Sequence, residues 1–261
     1  DGLVCRSAGA ADFRDRLRRA PGRTLRVPTL AERLRWHGET AISFANVSAG
    51  AAYFQDPDGH GWVYHPAGSY GPGRRPLDDP QSRALKKGED GDRAMTERFC
   101  REVLEERAPS LAILWLSEPD YTGHHAALGS PAHRRAIAAA DRCVRAVGET
   151  LRRLDPAGED TLFIVGSDHG METVARTIDL DALLIANGLK ESAESAEIVV
   201  APNGTAATLY FADPEGGLVA RTAEFLAAED WVGPVFAGDA LAAVGLPIGT
   251  ALGIALALAA D

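Results

Sequence analysis

Four side chains in this 261-residue sequence have the types and spacings that hold metal ions: Asp120, His124, Asp168 and His169. Asp120 and His124 form an Asp-x3-His pair within Glu118-Pro119-Asp120-Tyr121-Thr122-Gly123-His124-His125. Asp168 and His169 are adjacent in Gly166-Ser167-Asp168-His169-Gly170. A carboxylate beside an imidazole suits Zn²⁺ or a similar first-row metal. Taken alone, Asp168 reads more readily as a helix cap in an ordinary strand-to-helix turn. The second, similar pair upstream turns the balance toward metal chemistry. His125 could replace His124, but adjacent histidines point in different directions, and the four-residue spacing favours His124. Glu118 reads equally as a partner orienting an imidazole and as a solvated carboxylate.

The elements that must position these residues are legible on either side of them. Leu162-Phe163-Ile164-Val165 is a β-prone run of strand length that breaks at Gly166, and it predicts a buried strand delivering Asp168 and His169 at its carboxyl end. Leu111 to Leu116 predicts a second strand, ending just before Asp120. Between them, Ile137, Ala140, Val144, Val147, Leu151 and Leu154 recur at helical spacing behind Pro131, a residue suited to a first turn. Strand, helix, strand predicts a right-handed crossover with both strands ending on one rim. Ligands bind beyond the carboxyl ends of such strands. Two metals about 3.5–4 Å apart there could activate a nucleophile and neutralise a phosphoryl oxygen.

The run from Glu118-Pro119-Asp120-Tyr121-Thr122-Gly123-His124 through a helix carrying Asp141 to Ile164-Val165-Gly166-Ser167-Asp168-His169-Gly170-Met171 resembles the alkaline phosphatase superfamily. The nearest branch is the type I phosphodiesterase/nucleotide pyrophosphatase family. The motif match covers roughly residues 111–173, with weaker similarity from about Arg23 to Phe211. The resemblance implies a three-layer αβα fold with a mostly parallel central sheet. It implies two divalent metals, expected to be zinc, one held by Asp120 and His124 and the other by Asp168 and His169. It also implies a Thr or Ser nucleophile and a small-molecule phosphate ester substrate, with a nucleotide phosphodiester or pyrophosphate foremost. A phosphonate hydrolase, or a non-catalytic metal-binding domain of the same fold, is the alternative. A sulfatase is disfavoured, since none of the three cysteines lies in a Cys-x-Pro-x-Arg context.

The family pattern has further parts that this sequence does not match. No convincing strand-Asp followed by a Thr-rich turn precedes Thr29, and none of the seven histidines follows residue 169. The expectation is therefore an incomplete domain, with the nucleophile outside this chain, inactive alone and prone to association through an exposed sheet edge.

Composition narrows the rest. The length suits one large α/β domain spanning residues 1–261. A formal net charge of −10 argues against a nucleic-acid-coating protein and requires any metals to supply local positive charge. Cys5, Cys100 and Cys143 are too few and scattered for a disulfide framework, and Cys143 reads as a buried thiol. With no visible signal peptide, cysteine usage favours the cytoplasm. Ala251 to Ala260 is too short to span a bilayer. Oligomeric state is not encoded legibly.

Elsewhere, residues 12–19 predict a short charged helix. Thr29 with Glu32 predicts a capping box opening a helix to His37, with Leu30 and Leu34 inward. Ala41 to Val47 predicts a strand, and Ser48 to Ala52 a tight turn read as packing rather than a phosphate cradle. Residues 55–80, rich in Gly, Pro and Asp, predict a loop-rich insertion with a short hairpin near Trp62-Val63-Tyr64. Pro202-Asn203-Gly204 predicts a hairpin turn between two strands.

Overall fold

The computed structural model describes residues 14, 15, 17, 18, 22–174 and 176–259, so half of the expected 12–19 helix, and Cys5, lie outside the described residues. The chain forms two compact units that divide between Thr173 and Val174.

In the first unit, α1 (Leu30–Trp36) opens on Thr29, whose hydroxyl accepts the Glu32 N–H at 3.2 Å. This is the Thr29 half of the expected capping box, satisfying one of the free N–H groups of the first turn, while the Glu32 carboxylate accepts from Arg23 at 3.3 Å. Its inward residue is Ala31, however, while Leu30 is 63% exposed. Strand β1 (Ala41–Ala45) is buried along its whole length, and α2 (Ala49–Phe54) follows, capped by Ser48. Residues 55–80 supply β2 (Trp62–Tyr64), β3 (Ser69–Gly71) and β4 (Arg75–Leu77). Helix α3 (Pro80–Ala84) and α4 (Glu89–Phe99) come next, and α4 continues as a π-helical turn over Cys100–Glu105. Strand β5 (Leu111–Trp115), the short α5 (Asp120–Gly123) and α6 (Pro131–Leu154) complete the unit.

The sheet runs β4-β3-β2-β1-β5. Strand β1 pairs in parallel with β2 and with β5, Ser43 lying opposite Val63 and Ile113, while β3 and β4 add antiparallel. The sheet is thus mixed rather than mostly parallel: the Gly-rich turns of residues 65–75 are tight enough to reverse the chain. Alternation along β1 sends Ile42 and Phe44 to one face, where Met95, Phe99 and Val103 of the α4 segment and Val147 of α6 close the core. Ser43 points to the other face and donates to Gln55 Oε1 just after α2. Helix α6 buries Ala136, Ala139, Cys143, Val147 and Thr150. That face lies about one residue from the expected stripe, leaving Ile137 and Leu154 nearly half exposed. Small side chains at 136, 139 and 143 allow α4 to approach closely, so size decides the contact face.

The strand expected to carry Asp168 and His169 does not form. Leu162 to Val165 is irregular and pairs with no strand among the described residues, and Leu162 and Ile164 are 85% and 75% exposed. Among the described residues, strand β5 lies at the sheet edge and pairs only with β1. A β-prone run becomes a strand only when a neighbour supplies the ladder and a face to pack on, and composition cannot reveal whether one is at hand.

The second unit contains α7 (Leu180–Ala186), β6 (Ile198–Asn203), β7 (Ala206–Phe211), α8 (Gly217–Ala227), β8 (Val232–Ala237) and β9 (Leu252–Leu258). Its sheet is antiparallel, ordered β6-β7-β9-β8. The expected hairpin forms, with Asn203 opposite Ala206 and Gly204 at φ +60°. Ile198, Leu209, Phe211, Leu226 and Ile254 build its core. The apolar run near the C-terminus is strand β9, and among the described residues no helix is long and apolar enough to cross a membrane.

Candidate active site

The site is assembled where β1 and β5 end together, the Asn46 N–H donating to Trp115 O at 2.9 Å. The chain then passes through the buried Ser117 and Glu118 and a cis Glu118–Pro119 peptide into α5. The His124 N–H donates to the Asp120 carbonyl at 3.1 Å, so the two side chains share one helical face. His124 Nε2 lies 3.3 Å from Asp120 Oδ1.

The second pair arrives on the irregular segment after Gly166. Its approach depends on Gly123, where a Cβ would stand 2.4 Å from Met171 Sδ. His169 Nε2 lies 3.9 Å from Asp120 Oδ1 and 3.7 Å from Asp168 Oδ2. The four side chains therefore meet at the carboxyl end of β5, but not as two separate pairs. Asp120 Oδ1 stands between two imidazoles, and His169 faces Asp120 nearly as closely as it faces Asp168.

Asp120 Oδ1 is shielded from solvent and accepts no hydrogen bond, although the side chain as a whole is nearly half exposed. A buried acceptor without a donor is costly unless something else meets it. His169 Nδ1–H donates to the Gly170 carbonyl at 2.8 Å, which leaves the neutral ring's lone pair on Nε2, the atom facing Asp120. An unmet carboxylate oxygen and an imidazole lone pair turned toward it are the donor set a zinc ion takes. The arrangement is open: among the described residues no group of three or more His, Cys, Asp or Glu side chains stands ready to enclose a metal. The Gly170 carbonyl, with the Asp168 and then the Asp120 carboxylates, raises the His169 pKa above its ordinary 6.5.

Neighbouring alternatives separate cleanly. His125 turns away, its Nδ1–H donating to Tyr121 O at 2.6 Å and its ring lying on Tyr121. Glu118 is neither solvated nor bonded to an imidazole. Its carboxylate accepts the Thr122 N–H at 3.0 Å and the Thr122 hydroxyl at 2.8 Å, closing α5 on itself. Beside Asn46 is a cavity of about 400 Å³ lined by Val47, Ser48, His65, Leu85 and Lys87.

Sequence reasoning did not single out Asp92, which holds Ser117 and Glu118 from below. The signal existed: Asp92 shares a helical face with the apolar Met95 and Phe99, and a charge on such a face needs partners. Gly123 was likewise visible only as part of a motif.

No curated protein and no solved structure matches the chain. The family model of type I phosphodiesterase/nucleotide pyrophosphatase does, over residues 29–228, which take in the whole of the first unit's sheet and all four site residues. By that match, and with an α/β sheet flanked by helices and acidic and imidazole side chains gathered at its rim, the chain belongs to the type I phosphodiesterase/nucleotide pyrophosphatase family and has an alkaline phosphatase-like fold.

Proposed function

We propose that the protein is a metal-dependent hydrolase of small phosphate esters, acting on a nucleotide-type phosphodiester or pyrophosphate. The observation that carries this reading is Asp120 Oδ1, unpartnered between His124 Nε2 and His169 Nε2 in a member of a hydrolase family. Asp120, His124, Asp168 and His169 would hold two divalent cations, zinc by the chemistry of the donors. When bound, such ions lower the pKa of a nucleophile and offset charge on phosphoryl oxygens.

The chain's own residues do the rest of the positioning. His169 presents Nε2 because Gly170 takes its Nδ1 proton. Asp120 and His124 keep one spacing because α5 fixes both. With a net charge of −10 the protein does not attract an anionic ester at long range, so affinity must come from this local site. The cavity beside Asn46 offers room for the organic part of the ester. A Thr or Ser hydroxyl is the nucleophile that family membership implies, with attack on phosphorus and a covalent phosphoryl intermediate released by water.

The test is hydrolysis of chromogenic phosphodiester, phosphomonoester and phosphonate substrates by zinc-loaded enzyme, alongside Asp120→Asn. Diester turnover that needs zinc and is lost in the variant is expected. Zinc-independent turnover, or equal turnover by the variant, overturns the reading. Zinc binding without turnover on any of the three substrates would favour a non-catalytic domain of this fold.

A further inference from the structure

We propose that Asp92 is a positioning residue for the metal site: from helix α4 its carboxylate fixes the start of the loop that carries Asp120 and His124. The identity of those two as ligands rests on the hydrolase reading above; the grip of Asp92 on the loop does not.

Asp92 is 1% exposed in the first turn of α4. Its two oxygens face donors from two other parts of the chain. The Ser117 N–H lies 3.0 Å from each oxygen, and the Glu118 N–H 2.8 Å from Oδ2. The Ser117 hydroxyl donates at 3.0 Å and the Asn46 amide at 2.9 Å. An ionised carboxylate has about four lone-pair sites and no donor, so it fits four convergent donors as no other side chain of its size can. The first turn of a helix also favours a negative charge. Together these offset the desolvation of a buried anion.

From this point rigid links run to the ligands without passing through solvent. Ser117 and Glu118 stand three and two residues before Asp120. The Ser117 carbonyl accepts the Tyr121 N–H at 2.9 Å, and the Pro119 carbonyl accepts the Gly123 N–H at 2.9 Å. The Glu118 side chain, two residues before Asp120, holds Thr122 inside α5. The far side of the clasp is equally tight. Asn46 Nδ2 also donates to Lys86 O at 3.0 Å, and the Ser117 hydroxyl accepts the Gly88 N–H at 2.9 Å. Gly91 permits this closeness, since a Cβ there would stand 1.8 Å from Lys86 O. The carboxylate therefore joins the end of β1, the start of α4 and the exit of β5 at one place.

Asp92→Asn would replace one acceptor oxygen with an amide donor, which meets the Asn46 amide if it stands at the Oδ1 position and the Glu118 N–H if it stands at the Oδ2 position, so at least one bond of the clasp is lost. Changes to groups that orient a metal's ligands weaken binding about 10–100-fold. The matched control is Asp79→Asn. Asp79 is also buried and multiply bonded, to the Ser69 hydroxyl, the Ser82 N–H and Arg98, but has no hydrogen bond to residues 117–124.

Two measurements on the full chain test the proposal. Amide hydrogen exchange over residues 117–124 is expected to speed up in Asp92→Asn and not in Asp79→Asn. Cobalt titration, read from the visible d–d absorption, is expected to show affinity falling about 10–100-fold in Asp92→Asn and little in Asp79→Asn. If Asp92→Asn does not fold, Ser117→Ala, which keeps both main-chain bonds, should give smaller changes in the same directions. Unchanged exchange over 117–124, or equal effects from both buried aspartates, overturns the proposal. Faster exchange in a protein whose wild type binds no cobalt supports the grip and removes the metal reading instead.

Discussion

Replacing His65 with phenylalanine is expected to cost stability and to remove part of its pH dependence. His65 is buried in the wall of the 400 Å³ cavity, with its ring edge-on to Tyr53. Its Nδ1 accepts the Ala67 N–H at 3.0 Å, so Nε2 carries the proton and donates to Val47 O at 3.1 Å. Phenylalanine keeps the ring and deletes both bonds, leaving a main-chain donor and acceptor unmet. Each such group costs about 1–3 kcal/mol. Water in the cavity can reach part of this wall, so the low end applies, about 2–3 kcal/mol in all. At about 2–4 °C per kcal/mol for a chain of this size, the melting temperature should fall by roughly 4–12 °C.

The pH profile supplies a second, independent readout. Burial, and secondarily the Lys87 charge, lower the His65 pKa below 6.5, against the opposing pull of the Val47 carbonyl. Below 6.5 the unfolded chain takes up a proton that the folded chain resists. This part of the stability is thus complete above the unfolded value and is lost as pH falls toward the lowered folded one. Thermal melts at several pH values between about 5 and 8 should show wild type losing stability toward acid more steeply than His65→Phe. Equal acid slopes, or a variant melting within about 1 °C of wild type, would refute the reasoning.

Asp168→Asn and His169→Ala should each abolish diester hydrolysis by the enzyme while moving stability by no more than about 0.5 kcal/mol, because both side chains are about half exposed; a large melting shift would mean that they are structural. Zinc binding should strengthen as pH rises through the raised His169 pKa, since the metal needs the neutral ring, and calorimetric titrations flat across that range would contradict the assignment. Two groups in each Asp-His pair are fewer than the three or four that zinc usually takes, so zinc binding should be weak, and a tight calorimetric titration would show that further groups complete the site. In the second unit, Gly253→Ala should destabilise by about 1–3 kcal/mol, because its Cβ would lie 2.5 Å from the ring of the buried Phe211; an unchanged denaturation midpoint would show that the ring can yield.

Local signals were the most legible part of the chain. The Thr29 cap, the Asn203-Gly204 hairpin and the extent of α6 each depend on a few neighbouring residues, and sequence exposes those directly. The four candidate ligands stand out in the sequence by type and spacing, and the structure brings their side chains together at the end of β5. Two things were not legible. Whether Leu162–Val165 becomes a strand depends on a neighbouring ladder, which no local pattern encodes. The crossing of His169 toward Asp120 depends on Gly123 admitting Met171, a contact across 48 residues of sequence that shows no periodicity. Asp92 lies between these cases: its place on an apolar face was visible, but its four partners come from the ends of two strands.

The bare run Leu162-Phe163-Ile164-Val165 has a consequence for how the protein behaves in solution. Uncharged, β-prone and without proline, it is the kind of segment through which separate molecules stack into sheets. Its flanks work against that. Asp155, Glu159 and Asp160 precede it, and Asp168 and Glu172 follow. Two copies approaching in register would bring these carboxylates together, and like charges repel at short range. Concentrated salt screens that repulsion, and acid removes it by protonating the carboxylates. Dilute salt and neutral pH should therefore keep the protein clear, whereas acidification or salting should turn it cloudy. Proteases would sense the same stretch: Phe163 lies open to chymotrypsin, while trypsin finds no lysine or arginine between Arg153 and Arg176.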